Sequence, residues 1–496
     1  MQETVSIGLN LIGGEWKSCR RGETYELYNP ADQRVVLGRF QNSTEEDAND
    51  AVRAAKAAFS GWASLPAPKR AEIVYEAWSI LKKRSEEFSL AITVEEGKPL
   101  ADSRGEVKRS ANVLEFCAGE GRRLGGDTIP SELPKTFIWT YRRPIGVVAV
   151  ITPWNFPLSI PVWKIAPALI AGNTIVFKPA SITPGIGIKL CNLFMDAGLP
   201  PGVLNMITGP GGSVGRALVE NVDVRGVSFT GSTETGRWIY EYAAKYMKKA
   251  QCEMGGKNAV IVAADADVDL AVEGVVQGAF GSSGQRCTAT SRVVVDSSIK
   301  KVFMDKLLEK TRSLKVGPGT ATATDVGPLS SRTQLEKVLF YISDAVNEGA
   351  KLVAGGRRLT GEDLDHGYYV EPTIFDEVTT DMRIAREEVF GPVLSVLSGS
   401  GMDELLQIAN DSTYGLSGSI YTKDIARAMK YAHESEVGMI HINSPTLGGE
   451  AQAPFGGIKA SGIGPREQGK RAVEFFTEEV VVYLDFTGSK REAKFI

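Results

Sequence analysis

Five cysteines occur in the chain, and Cys287 alone has a neighbourhood that suits a reactive thiol. In GQRCTATSR (284–292) a glycine and Gln285 lead into it, Arg286 directly precedes it and Thr288 follows. The thiolate is the nucleophilic form of cysteine, and an adjacent cation favours it. Cys19, Cys117, Cys191 and Cys252 lie in apolar sequence or in polar sequence with no partner in view, the ordinary setting of a structural thiol. Glu253 opens EMGGK (253–257), a carboxylate followed by two glycines that let other groups approach closely. Such a group can serve as a general base, although a single Glu is more often solvated or salt-bridged. Asn155 lies in ITPWNFP (151–157), between Trp154 and Phe156, where a proline-rich turn is the plain reading. Lys178 ends the apolar run of FKPAS (177–181), a costly place for an ammonium that has no ligand.

Two glycine-containing turns are suited to an anion. FTGSTETG (229–236) reads as a strand, a turn through Gly231 and Ser232, and then a helix whose N-terminus points its N–H groups outward. Neither this stretch nor GPGGSVG (209–215) spells GxGxxG, and a simple helix cap accounts for either equally well. EEVFGPV (387–393) adds a second acidic turn, with Glu388 two residues before Phe390. His366, His433 and His441 are far apart and no CxxC occurs, so no metal site is expected.

These residues need a large framework. From about residue 146, the apolar runs GVVAVIT, NTIVFKP, VLNMITG, GVSFTG, NAVIVAA, SRVVVD and GMIHIN alternate with segments of helical periodicity such as LAVEGVVQGAF and QLEKVLFYISDAVNEGA. Strands apolar on both faces and joined by helices indicate mostly parallel sheets, an α/β architecture. The first 120 or so residues are richer in amphipathic helix, as in DANDAVRAAKAAFSGWASL and KRAEIVYEAWSILKKRSEEF. At 496 residues, two or three units with large cores are expected, and no linker separates them. The tail FFTEEVVVYLDF ends in a strand without an obvious partner, which points to another subunit. A net charge of −4 gives no reason to bind nucleic acid or a membrane surface. The absence of a signal-like N-terminus and the sparse, odd cysteine count suggest the cytoplasm.

Taken together and in this order, TPWNFP, FKPA, FTGST, EMGGKN, GQRCTA, EEVFGPV and PFGGIK resemble the aldehyde dehydrogenase superfamily, with Glu253 and Cys287 34 residues apart. The likeness covers nearly the whole chain. It implies a Rossmann-like cofactor domain (1–125 and 145–255), an α/β catalytic domain (256–450) and a small β oligomerisation element (126–144 and 478–496) of a homodimer or homotetramer. It also implies that Cys287 is the nucleophile and Glu253 the base, with an oxyanion site made by Asn155 and the Cys287 backbone N–H. Lys178 and Glu388 would hold ribose hydroxyls, Gly231 and Ser232 the pyrophosphate, and Trp154 and Phe390 would flank the nicotinamide end. Ser181 stands where many NAD-preferring members resemble an acidic pattern, so NADP is expected, with NAD possible. Glu253, which acyl-CoA-forming members lack, implies a free acid product.

The substrate side resembles the 2-oxoglutarate semialdehyde (2,5-dioxopentanoate) branch in IPVWKIAPAL, CTATSR and REQGKRAVEFFT. Trp163 occupies the place of the arginine typical of succinic semialdehyde dehydrogenases. Arg286 is then the expected carboxylate partner, with Trp163, Phe156 and Phe455 as walls and Ser444 and Thr446 as polar groups. Non-phosphorylating dehydrogenases of glyceraldehyde-3-phosphate or glyceraldehyde, and succinic semialdehyde dehydrogenase, are the alternatives. A catalytically silent binding protein is the alternative from another class, but it has no need for Cys287, Glu253 and Asn155 together.

Overall fold

The computed structural model describes residues 6–361 and 364–488. Two sheets carry the site. The first has eight strands in the order Gly462–Ile463, Lys249–Glu253, Val224–Thr230, Val147–Ile151, Thr174–Lys178, Leu204–Met206, Asn10–Ile12 and Glu15–Lys17. Its five central strands are parallel and its two edges antiparallel. Val147–Ile151 and Val224–Thr230 are neighbours, and the chain order runs away from this pair in opposite directions, which makes a topological switch point.

The second sheet orders Lys351–Ala354, Thr373–Asp376, Val393–Gly399, Thr290–Asp296, Asn258–Val262, Ser417–Tyr421 and Met439–Ile442, all parallel except the first. Val260, Ile261, Val293 and Val294 in its centre are fully buried, as a sheet covered on both faces demands. The chain crosses from one sheet to the other between Glu253 and Asn258, so a candidate base sits at the junction. Among the described residues, no helix is long and apolar enough to cross a membrane.

All seven apolar runs are strands. Ser417–Tyr421 (SGSIY) is a buried strand that composition conceals. The hydroxyls of Ser417 and Ser419 donate to the carbonyls of Thr446 and Ser444, and a Cβ at Gly418 would collide with the Tyr431 hydroxyl. The second N-terminal amphipathic stretch breaks at Arg84 into the helices Ala67–Lys83 and Ser85–Glu96.

The tail strand has its partner within the chain. Thr477–Asp485 pairs antiparallel along its full length with Thr136–Pro144, which also pairs with Thr128–Ile129. Among the described residues nothing pairs with the outer edge of Thr477–Asp485, and Val481, Tyr483 and Leu484 are exposed on the strand. Residues 489–496 of the expected oligomerisation element lie outside the described residues.

Candidate active site

The carboxyl ends of Val147–Ile151 and Val224–Thr230 open on a cleft of about 510 Å³, lined by Ile151, Phe229, Trp238, Ile239 and the glycines 211, 212 and 215. Ser232 caps the helix Thr233–Lys245, its Oγ accepting the Thr235 N–H at 3.3 Å, so the positive end of that helix faces the cleft mouth. Lys178 ends the next strand with its ammonium on the Pro179 carbonyl at 3.2 Å, and burial pulls its pKa down to about 8. Ser181 donates to the Gly209 carbonyl at 3.0 Å and so stands beside the glycine turn.

Glu388 accepts the Gly256 N–H at 2.9 Å, and burial raises its pKa. A Cβ at Gly255 would collide with this carboxylate, and one at Gly256 would lie 2.9 Å from the Cys287 carbonyl, which is why EMGGK needs two glycines. Phe390 adopts φ of 61° and meets Trp154 edge-on at 5.4 Å, with its own carbonyl held by Gln334 at 2.7 Å. A dinucleotide fits this set: an apolar cleft at the switch point, a helix N-terminus for phosphates, and a buried ammonium and carboxylate for hydroxyls.

Cys287 follows a strained turn. Ser282 and Ser283 have φ of 49° and 57°, a conformation costing about 1–3 kcal/mol per residue for side chains with a Cβ. Among the bonds that hold it, Ser282 N–H donates to Asp102 at 2.8 Å and Ser283 Oγ to the Gly327 carbonyl at 2.8 Å. Asn155 Nδ2 donates to the Gln285 carbonyl at 3.0 Å, which brings its amide to the loop that carries Cys287. The Cys287 carbonyl in turn accepts from Asn258 at 2.8 Å.

Cys287 is half-buried, and desolvation first, then the charges of Glu388 and Glu253, push its thiol up to about 12 against the pull of Arg109. Only the thiolate reacts with alkylating agents. In the cofactor-free enzyme, Cys287 alkylation followed by mass spectrometry should therefore climb about tenfold per pH unit from pH 8 to 10. A plateau near pH 9, as for an ordinary thiol, would contradict this environment.

Glu253 is buried, and its Oε2 accepts the Gly457 N–H at 3.2 Å. Desolvation, then the neighbouring Glu467, hold its carboxyl well above the usual carboxylate range, with Gly457, Lys164 and Arg466 pulling the other way. Glu467 bonds the Lys164 ammonium and accepts the Trp163 indole N–H at 2.6 Å. Lys164 also donates to Ser228 at 3.1 Å. This Glu253–Glu467–Lys164 cluster escaped the motif reading. Lys164 was its one signal, a lysine in the otherwise apolar helix Ser159–Ala171, where only a buried partner makes it tolerable.

Of the three residues expected as walls, Trp163 and Phe455 meet, whereas Phe156 lies beside Lys98, and the expected cation is ion-paired. Trp163 and Phe455 pack at 5.4 Å. Arg286 is ion-paired to Asp102 at 2.9 Å and donates to Ser282 Oγ at 2.8 Å, which ties helix to loop, while its Nε is shielded from solvent with no hydrogen-bond partner among the described residues. Thr446 is likewise spent: its hydroxyl donates to the Thr288 carbonyl at 2.7 Å and lies 2.9 Å from Thr290 Oγ1. Ser444 offers its carbonyl to Ser419, and Phe156 packs under Lys98 at 4.2 Å from its ring centre.

A different cation stands against the rings of Trp163 and Phe455, Arg109 from the helix Leu100–Glu120. Its guanidinium lies 5.0 Å from the Trp163 ring centre and 5.8 Å from that of Phe455. Its Nε and Nη2 are shielded from solvent with no hydrogen-bond partner among the described residues, and its charge reaches Cys287. A Cβ at Gly449 would collide with it. In sequence it is one of two arginines on that helix, so nothing singles it out.

The model of the aldehyde dehydrogenase family matches residues 16–482, and the chain belongs to that family. It is accordingly an NAD(P)-dependent aldehyde dehydrogenase with that family's α/β fold. It is 45% identical over 476 residues to the alpha-ketoglutaric semialdehyde dehydrogenase of Bacillus subtilis, covering 96% of this chain and 98% of the relative. It is 46% identical over 465 residues to the 2,5-dioxopentanoate dehydrogenase of Saccharolobus solfataricus, covering 93% and 96%. The crystal structure of betaine aldehyde dehydrogenase from Staphylococcus aureus with NAD+ superposes with a TM-score of 0.95 at 37% identity, covering 97% of this chain and 95% of that one.

Proposed function

We propose that the protein oxidises an acid-bearing semialdehyde of the 2,5-dioxopentanoate kind to the free dicarboxylic acid, with Arg109 holding the substrate's own carboxylate. The observation that carries this reading is the Arg109 guanidinium, desolvated, unspent at two nitrogens and set against Trp163 and Phe455 beside Cys287. Such a cation is unfavourable until an anion completes it. The relatives named for this substrate support the same choice. A phosphate ester would call for more than one cation at its far end, and Arg286 already serves Asp102.

The chemistry follows from the residues. The Cys287 thiol gives its proton to solvent as its sulfur adds to the aldehyde carbon, and the resulting oxyanion is met by the Asn155 amide and the Cys287 backbone N–H. Each such fixed donor is worth about 3 kcal/mol. A bound nicotinamide cofactor supplies the acceptor for the hydride, leaving a thioester on Cys287. Glu253 then takes a proton from water as the water attacks the thioester carbon, and the acid leaves as the sulfur recovers its proton. Glu467 and Lys164 lie behind Glu253 and adjust its basicity.

Ser181 places a hydroxyl where an acidic side chain would repel a 2′-phosphate, which supports NADP at least as well as NAD. The open edge of Thr477–Asp485 with its exposed apolar residues supports a homodimer or homotetramer built through that strand. Sheet membership supports the division into cofactor (1–125, 145–255), catalytic (256–450) and oligomerisation segments. Five free cysteines suit the cytoplasm.

The test is a steady-state comparison of 2,5-dioxopentanoate, succinic semialdehyde, glyceraldehyde-3-phosphate and pentanal with both cofactors. The five-carbon acid should lead in kcat/KM, and NADP should equal or surpass NAD. A lead for pentanal or glyceraldehyde-3-phosphate would refute the substrate reading, and a strong NAD preference the reading of Ser181.

A further inference from the structure

The helix Leu100–Glu120 carries Asp102, Glu106 and Arg109 at i, i+4 and i+7, so the three side chains leave one face. Arg109 lies against Trp163 and Phe455, while the two carboxylates hold backbone. Asp102 gives one oxygen to the Ser282 N–H at 2.8 Å and the other to Arg286 at 2.9 Å, gripping the left-handed turn on both sides of its path to Cys287. Glu106 accepts the N–H groups of Leu158 and Ser159 at 2.8 and 3.0 Å with one oxygen. Its other oxygen holds Lys98 at 2.9 Å, and that ammonium donates onward to the main-chain carbonyl of Asn155. Lys98 and Glu106 are closed to solvent.

Two carboxylates one helical turn apart thus clamp two loops that are distant in sequence. The loops carry the two donors of the oxyanion site, the Asn155 amide and the Cys287 N–H. We propose that this helix face sets the spacing between those donors, with Asp102 and Glu106 as positioning residues for the oxyanion formed on sulfur addition. The proposal rests on the roles given above to Cys287 and Asn155. Charge-assisted bonds are shorter and stronger than neutral ones, which suits carboxylates to holding a turn that would otherwise relax. Release of the Ser282 N–H lets the left-handed pair return to ordinary backbone angles, and the Cys287 N–H moves with it.

Asp102 is partly exposed, so Asp102→Ala and Asp102→Asn leave no buried charge without a partner beyond Arg286. Rapid mixing with saturating pentanal reads the burst of reduced cofactor. Iodoacetamide alkylation of Cys287 and fluorescence titration of the cofactor serve as controls. A misplaced donor costs about a hundredfold, so the Asp102→Ala burst rate should fall by about that factor, with Asp102→Asn in between. The KM for pentanal, cofactor Kd and alkylation rate should stay within about threefold, because alkylation builds no oxyanion.

Glu106→Gln, which keeps the shape of the side chain, should also slow the burst. A native burst rate in both Asp102 variants overturns the proposal, as does an equal fall in alkylation. A loss confined to 2,5-dioxopentanoate overturns it too, by making Arg286 a substrate anchor. Cys287→Ala is measured alongside: a burst that persists there refutes the site assignment itself, and the positioning role falls with it.

Discussion

Arg109→Met is expected to lower kcat/KM for 2,5-dioxopentanoate by about ten- to a hundredfold while pentanal changes by less than about threefold. A hydrogen bond to a charged group contributes about 1.5–3 kcal/mol, and each 1.4 kcal/mol is a factor of ten. The loss should appear mainly in KM, because a carboxylate remote from the reacting carbon binds alike in ground and transition states. The same substitution should raise Tm. The guanidinium has two shielded nitrogens without partners among the described residues, and methionine fills the space between Trp163, Phe455 and Gly449 without a charge to desolvate. A gain in stability with a loss in selectivity marks a residue kept for its ligand. A uniform loss across all aldehydes, or a fall in Tm, would show that Arg109 serves the fold.

Arg286, by contrast, was the arginine that the sequence brought forward. It abuts Cys287, and adjacency along the chain is visible where adjacency in space is not. The side chain of a residue next to Cys287 leaves the loop in another direction, and Asp102, 184 positions away, captures it. Arg109 lies 178 positions before Cys287 on a separate helix, and packing alone brings it to Trp163 and Phe455. Thr446 misled in the same manner, since its hydroxyl is consumed by Thr288 and Thr290.

The motifs read well where the chemistry is local. The two glycines after Glu253 are needed because Glu388 and the Cys287 carbonyl come close, and that requirement is written in EMGGK itself. The parallel strands were legible because burial on both faces leaves continuous apolar runs, whereas Ser417–Tyr421 stayed hidden because its hydroxyls are satisfied by a neighbouring loop. The Glu253–Glu467–Lys164 cluster joins three segments across more than 300 positions. A single lysine in an apolar helix was its only trace.

That cluster governs the largest expected effect. Glu253→Gln should leave a burst of about one reduced cofactor per subunit, followed by turnover slowed about 10²- to 10⁴-fold, the usual contribution of a general base. Gln keeps the size of the side chain and an oxygen for the Gly457 N–H, so the loop 454–457 should hold its place. What it loses is the ability to take a proton from water at the thioester. Cys287→Ala should lose burst and turnover alike while still binding cofactor, because the sulfur forms the covalent bond. In the native enzyme the carboxyl of Glu253 is held high by burial and by Glu467, and a base acts only when deprotonated. Wherever thioester hydrolysis limits turnover, kcat should therefore rise with pH above the range of an ordinary Glu, and the Gln variant should lose that rise. Rapid-mixing absorbance of reduced cofactor across pH measures both. Should the burst vanish together with turnover in Glu253→Gln, Glu253 also acts before hydride leaves, as the group that draws the proton from a thiol whose own pKa is far above neutrality.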